Sequence, residues 1–307
     1  MNQSKLRFLK NSEIDLAKWD RCVAGSSFAL VYAESWYLDV VAPGWSALIY
    51  GDYDFVMPLL VKQKLGFKFL LQAIFAQQQG IFPEPGPEIQ HSFLKFISEQ
   101  FHFVRINLNS SHSNPFPEVF SVEKRDNFLL DLSGGYDFLK TNYTTHTRRK
   151  IKKAETEKVF VVKGLAVNDY IDLKNHANDN KLAKKPMQTL TQLIASAQAN
   201  GKGTIYAAYN RDNSLCAAAF FLHTKKRTVY LNAVSTPEGK RTNAMHLLVD
   251  RFICDHSNDP LILDFEGSSI PGIARFYRGF GAVPESYFVL KSNRLPVPLR
   301  WLIKFLR

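Results

Sequence analysis

Only three cysteines stand among 307 residues, Cys22, Cys216 and Cys254, odd in number and far apart. That scarcity excludes a disulfide framework and a zinc-ligand spacing, and it fits a reducing compartment. The eight histidines are scattered without ligand spacing, so no metal site is expected. No stretch reaches the ~18 consecutive apolar residues of a membrane span. The opening residues Asn2, Gln3, Ser4 and Lys5 lack the apolar core of a secretory leader. Taken together, these absences predict a cytoplasmic protein. Acid is missing from one long segment: residues 291–307 carry five Lys/Arg and no Asp or Glu.

What is present excludes disorder, since hydrophobic residues make up 46% of the chain and phenylalanine alone occurs 24 times. The length suffices for two cores of common size. The formal charge of +11 is concentrated in two places. Residues 140–158 hold seven Lys/Arg against Glu155 and Glu157, a net +5, and residues 291–307 add another +5. Such local excess implies either an anionic partner (cofactor phosphates, nucleic acid or lipid headgroups) or solvated faces that keep the protein soluble. The tail from Pro296 reads as a short amphipathic helix, with Arg300, Lys304 and Arg307 on one face and Leu299, Leu302, Ile303 and Leu306 on the other. It docks on the protein's own surface or contacts the inner face of an anionic membrane.

In the first half, Ser12 caps a helix running to Val23, and a second helix spans Glu34–Val41. Strands Ser46–Tyr50 and Tyr53–Lys64 flank a Gly51-Asp52 turn, and Gly66–Gln72 continues the sheet. Gln77-Gln78-Gln79 reads as a surface turn rather than the lining of a polar pocket. A helix over Glu88–Gln100, a buried strand Phe103–Leu108 and two strands, Val119–Glu123 and Asn127–Leu132, complete the half. Ser133-Gly134-Gly135 closes it, giving expected domains 1–134 and 135–307. The basic helix Thr144–Ala154 then stacks like charges four apart, Arg148 with Lys152 and Arg149 with Lys153, a strain that an anion or nearby acids must offset.

The second half reads as strand Val159–Val162, helices Val167–Asn180 and Met187–Asn200 separated by Lys184-Lys185-Pro186, and an antiparallel meander. Its strands are Thr204–Tyr209, Leu215–His223 and Thr228–Val234. The unbroken apolar run Cys216–Leu222 marks the sheet centre. The helix Arg241–Asp255 presents an N-terminus able to hold a phosphate. Last comes Leu261–Ala282: a buried strand with an acidic end, a Gly-Ser turn, and a helix started at Pro271. Asp264 and Glu266 alternate along that strand and so face one way. Glu266 is the candidate base for an amine, whereas Asp264 contacts substrate or pairs with a cation of the basic helix.

Phe276-Tyr277-Arg278-Gly279-Phe280-Gly281-Ala282 resembles the closing segment of GCN5-related N-acetyltransferases (GNAT). The basic stretch around Arg148-Arg149-Lys150-Ile151-Lys152-Lys153-Ala154 resembles the signature between the halves of the Fem-type peptidoglycan aminoacyltransferases. The resemblance spans essentially the whole chain and implies two tandem GNAT domains, each α/β with a mixed sheet, the second carrying the site. It implies an N-acyltransferase with acetyl-CoA or another acyl-CoA as donor. Ala233, Val234, Gly239, Lys240, Arg241, Thr242 and Asn243 would hold that donor, although Lys240 and Thr242 occupy positions where the family's phosphate loop has glycine. Glu266 and Tyr277 would act on protons, Tyr277 at the leaving thiolate. Arg148, Lys152, Asp264 and Ser268 would contact the acceptor, a small amine or a cell-wall precursor. Two alternatives stay open: an aminoacyl-tRNA-dependent transferase whose basic helix meets RNA phosphates, and a silent binding protein that keeps the fold.

Overall fold

The structure, a computed structural model, describes residues 5–28, 30–113, 115–177, 182–267 and 270–300. Ser268, the end of the helix expected to reach Asn180 and most of the amphipathic tail lie outside the described residues. In chain order the elements are β1 (Leu6–Lys10), α1 (Leu16–Gly25), α2 (Ser35–Val41), β2 (Ser46–Tyr50), β3 (Phe55–Lys64), β4 (Phe67–Leu71), α3 (Pro87–Gln100) and β5 (Phe103–Leu108). There follow β6 (Ser121–Asp131), α4 (Tyr136–Thr141), α5 (Thr145–Thr156), β7 (Phe160–Lys163), α6 (Val167–His176), α7 (Lys184–Ala199) and β8 (Gly203–Tyr209). The remainder are β9 (Leu215–His223), β10 (Arg227–Ser235), α8 (Pro237–Arg241), α9 (Ala244–Asp255), β11 (Ile262–Asp264), α10 (Pro271–Gly279) and β12 (Val283–Asn293).

The chain divides into two units, one made of Met1–Arg125 with Ser286–Arg307 and the other of Asp126–Glu285. In the first, β1 to β4 form an antiparallel run. After α3 the fifth strand, β5, lies parallel to β4, and Phe288–Asn293 of β12 pairs antiparallel with β5. The second repeats the plan: β7 to β10 are antiparallel, β11 follows α9 and lies parallel to β10, and β6 pairs antiparallel with β11. Each unit is thus the expected mixed-sheet α/β layout, but the first takes its sixth strand from the far end of the chain, whereas the second uses the strand that precedes its antiparallel run. The expected boundary at 134/135 is corrected accordingly: the division falls inside β6, and the chain's last strand returns to the first unit because its partner is β5.

Local differences have physical causes. Expected strands 119–123 and 127–132 are one strand, β6, since the charged stretch Glu123–Asp126 continues extended. Pro186 sits in the first turn of α7, where a missing N–H costs nothing. Strand β1 carries no strong apolar signal and was not expected. Gln78 and Gln79 are buried rather than on a surface turn. Beyond the last β4–β5 pair, Gln79 N–H donates to Asn107 O (2.9 Å) and Asn109 N–H to Gln79 O (2.6 Å). The Gln72 side chain accepts from Asn107 N–H (2.8 Å). The Gln72–Gln79 segment therefore fills, in the first unit, the space beside β5.

In the second unit the central strand β9 is buried from Cys216 to Leu222. Its small residues Ala217–Ala219 let helices approach, and Phe221 stacks on Phe252 of α9 at 3.9 Å between centroids, worth about 0.5–1.5 kcal/mol beyond burial. Among the described residues no helix is long and apolar enough to cross a membrane.

Candidate functional site

Strands β10 and β11 pair only over Arg227–Val229 and Ile262–Asp264. Past Val229, β10 stays with β9 as far as Ser235. The chain after Asp264 instead turns toward β6, with Phe265 N–H donating to Phe128 O (2.9 Å) and Phe128 N–H to Glu266 O (3.3 Å). The two paths part, and a register shift in β10 between Tyr230 and Asn232 re-aims its side chains there.

Asp264 builds this fork. It is fully buried, its Oδ2 accepts from Arg227 Nη1 at 2.9 Å, and its Oδ1 accepts from the Glu266 backbone N–H at 2.8 Å. Glu266 takes φ of +60°, a left-handed conformation that costs a non-glycine residue about 1–2 kcal/mol and ends the strand. The expected alternation of Asp264 and Glu266 on one strand face is therefore corrected, because the strand stops between them. Asp264 is committed to Arg227, a residue of β10, and not to a cation of the basic helix.

The fork opens into a cavity of about 650 Å³. One wall is the β10 edge from Tyr230 to Ser235; the other is Glu266, Gly267 and the α10 residues Gly272, Ile273, Phe276 and Tyr277. Gly239, Lys240, Asn243, Met245 and His246 line one end with Lys150 of α5, while Lys174, Ala177 and Leu182 line another side. Tyr277 is only 8% exposed and stacks on Phe265 at 4.8 Å. Burial raises its phenol well above the usual tyrosine range, and the Glu266 and Asp264 carboxylates raise it further. Tyr230, 6.2 Å away ring to ring, is likewise held neutral by burial. His246 lies edge-on to Phe276 at 4.8 Å. Burial, helped by the Lys150 charge, lowers it to about 3, so it is neutral at pH 7.

The helix expected over 241–255 is two helices. Asn243, at φ +58°, separates α8 from α9 and makes no side-chain cap hydrogen bond, leaving the α9 N-terminus uncapped by a side chain at the cavity. Asn tolerates the left-handed region that glycine would otherwise supply. Gly239 is required for packing instead, since a Cβ there would lie 2.1 Å from Cys216 O, and its N–H is taken by Thr236 Oγ1 at 3.1 Å.

Of the residues expected from sequence, Glu266, Tyr277, Ala233, Val234, Gly239, Lys240 and Asn243 line the cavity. Five others do not. Arg241 pairs with Glu238 (2.7 Å) and Glu157 (3.2 Å). Thr242 is buried and donates back to Glu238 O (2.9 Å), and Asp264 is held by Arg227. Arg148 donates to Thr141 O (2.7 Å), and Lys152 is exposed on α5. Four ionisable lining residues were missed: Lys150, Lys174, Tyr230 and His246. The i, i+4 pairing drew attention to the exposed faces of α5, whereas Lys150 stands beside the buried Ile151. Lys174 could have been found, because it falls four residues after Tyr170 and one after Leu173, on the buried stripe of α6.

No family model and no curated protein matches this chain in sequence. Solved structures do match in shape. FemX superposes with a TM-score of 0.65 over 94% of this chain and 98% of its own, at 11% identity. A tandem GNAT protein from the clavulanic acid biosynthesis pathway gives 0.57 over 95% and 99%, at 10% identity. The C-terminal domain of a putative lysylphosphatidylglycerol synthetase from Agrobacterium fabrum gives 0.55 over 94% and 95%, also at 10% identity. The class defined here is a fold class: a tandem, GNAT-like Fem-type fold.

Proposed function

We propose that the cavity of the second unit transfers an acyl group from an acyl-CoA thioester, acetyl-CoA being the simplest, to an amine. The observation that carries this reading is the fork itself, where the β10 edge, Glu266 and Tyr277 share one cavity with the α9 N-terminus. An exposed strand edge offers alternating N–H and C=O groups to an amide-bearing chain. A helix N-terminus uncapped by a side chain, flanked by Lys240 and Lys150, suits the phosphates of such a donor. The residues fit the donor, although side-chain ammonium groups replace most of a glycine cradle.

The thioester supplies an electrophilic carbonyl carbon. Glu266 accepts a proton from the acceptor amine as the C–N bond forms. Tyr277 gives its phenolic proton to the sulfur as the C–S bond breaks. The two transfers are coupled, because Glu266 loses its negative charge on taking a proton and so removes one of the influences that hold Tyr277 protonated.

The test is calorimetric titration with acetyl-CoA followed by a thiol-release assay over an amine panel. Tyr277→Phe is expected to bind donor normally and lose about 10²–10⁴-fold in kcat, the range for a positioned proton donor. Full activity in both Tyr277→Phe and Glu266→Gln refutes the mechanism, and absence of acetyl-CoA binding refutes the donor assignment. One observation favours a second reading with aminoacyl-tRNA as donor. Arg149, Lys152 and Lys153 are exposed on α5 and form no ion pair among the described residues, so they could meet RNA phosphates. Steeply salt-dependent tRNA binding without acetyl-CoA binding would establish it.

A further inference from the structure

Lys174 is a buried cation that the proposed chemistry does not use. It sits in the last turn of α6, is only 8% exposed, and lines the cavity. Among the described residues it makes no hydrogen bond or ion pair. Burial alone lowers its affinity for a proton, the signature of an ammonium removed from water without compensation. Its position is well fixed: one turn earlier, Tyr170 is fully buried and donates to Asn232 Oδ1 at 2.7 Å, tying α6 to β10 where β10 lines the cavity. A lysine kept buried at a cavity wall without a partner is costly to stability, and a ligand anion would offset that cost.

The charge map says which part of a ligand that anion belongs to. Among the described residues the cavity is lined by three ammonium groups, Lys150, Lys174 and Lys240, and one carboxylate, Glu266. Lys150 and Lys240 stand with the α9 N-terminus, where the donor's phosphates are placed. Lys174 comes from a different helix and is left over once that end is matched. We propose that the acceptor is an amino-acid-like zwitterion, with its amine at Glu266 and its carboxylate on Lys174. The assignment rests on the acyltransferase reading above for the amine end, but not for the carboxylate end. Such an acceptor enters with no net charge and brings Lys174 an opposite charge.

The experiment titrates L-amino acids and their matching carboxamides into the wild-type protein and Lys174→Met, with and without coenzyme A, and measures acetyl-CoA binding in parallel. Methionine matches the lysine stem in length and removes an unpaired ammonium, so unliganded Lys174→Met should melt at or above the wild-type temperature, which controls for folding. At least one amino acid is expected to bind the wild type roughly tenfold or more tightly than its carboxamide, as a charge-assisted pair requires. That preference should collapse in Lys174→Met. If no amino acid binds the wild type, or if the carboxylate preference survives in Lys174→Met, the proposal is overturned. If the preference depends on Lys174 while acetyl-CoA fails to bind, the carboxylate site stands and the donor assignment falls. If acetyl-CoA binds and amines turn over with carboxamides as good as acids, the zwitterion alone is refuted.

Discussion

The fork at Asp264 gives a prediction whose size follows from its geometry. Asp264 is completely buried and the side chain of Arg227 is only 13% exposed, so truncating the acid strands a guanidinium in the interior. Removing one partner of a buried pair costs about 3–5 kcal/mol, and the lost acceptor for Glu266 N–H adds about 1 kcal/mol or more. Asp264→Ala should therefore lose about 4–6 kcal/mol, which for a unit spanning Asp126–Glu285 lowers its Tm by roughly 10–20 °C. Asp264→Asn keeps an oxygen for only one of the two donors and sets an amide NH2 against the other, so its penalty should approach that of Asp264→Ala. The double variant Asp264→Leu, Arg227→Met removes both charges and should be more stable than Asp264→Ala. Urea denaturation of the three variants, fitted by linear extrapolation, measures this series. If Asp264→Ala stays within about 1 kcal/mol of wild type, or the double variant gains nothing over it, the stranded-charge reasoning is refuted.

Two further outcomes are expected. Gly239→Ala would press a methyl to 2.1 Å from the Cys216 carbonyl, a backbone atom that cannot swing away, and should cost about 1–3 kcal/mol by urea denaturation; an unchanged midpoint would mean that α8 lifts freely off β9. The second outcome concerns acid sensitivity. Burial lowers His112 and His223 to about 4 and His246 to about 3, below the ordinary 6.5, so the unfolded chain takes up protons first. Stability is then full above pH 6.5 and falls as pH drops from there toward 4, by up to about 1.4 kcal/mol per pH unit for each histidine. Thermal melts between pH 7 and 5 should show that decline, and His246→Phe should make it shallower; an unchanged slope would place His246 in contact with water.

Much of the fold was legible because it rests on local patterns. The apolar run Cys216–Leu222, the polar turns around it and Pro271 at a helix start each state a period or a boundary, and β5, β9 and α10 fall where those signals put them. Strand exchange was not legible, since Phe288–Asn293 looks the same whichever partner it meets. The site was legible in part. Glu266 and Tyr277 line the cavity, but Asp264 and Arg241 were expected to face a ligand and instead face Arg227 and Glu157, because a charged residue's type does not reveal which opposite charge the fold brings to it. The break at Asn243 escaped notice because a single left-handed residue leaves the apolar spacing of its neighbours intact.

The sixth strand of the first unit has a consequence for synthesis. On the ribosome, β1 to β5 emerge early, yet Phe288–Asn293 follows only after the whole of Asp126–Glu285 has been made. At about 5–20 residues per second, that delay is on the order of ten seconds. During it β5 has β4 on one side and an open edge on the other, the kind of edge on which nascent chains aggregate. The second unit has no such wait, because β6 is made before any of its neighbours. The half that carries the cavity can therefore close first, and the half made first is the last to be finished.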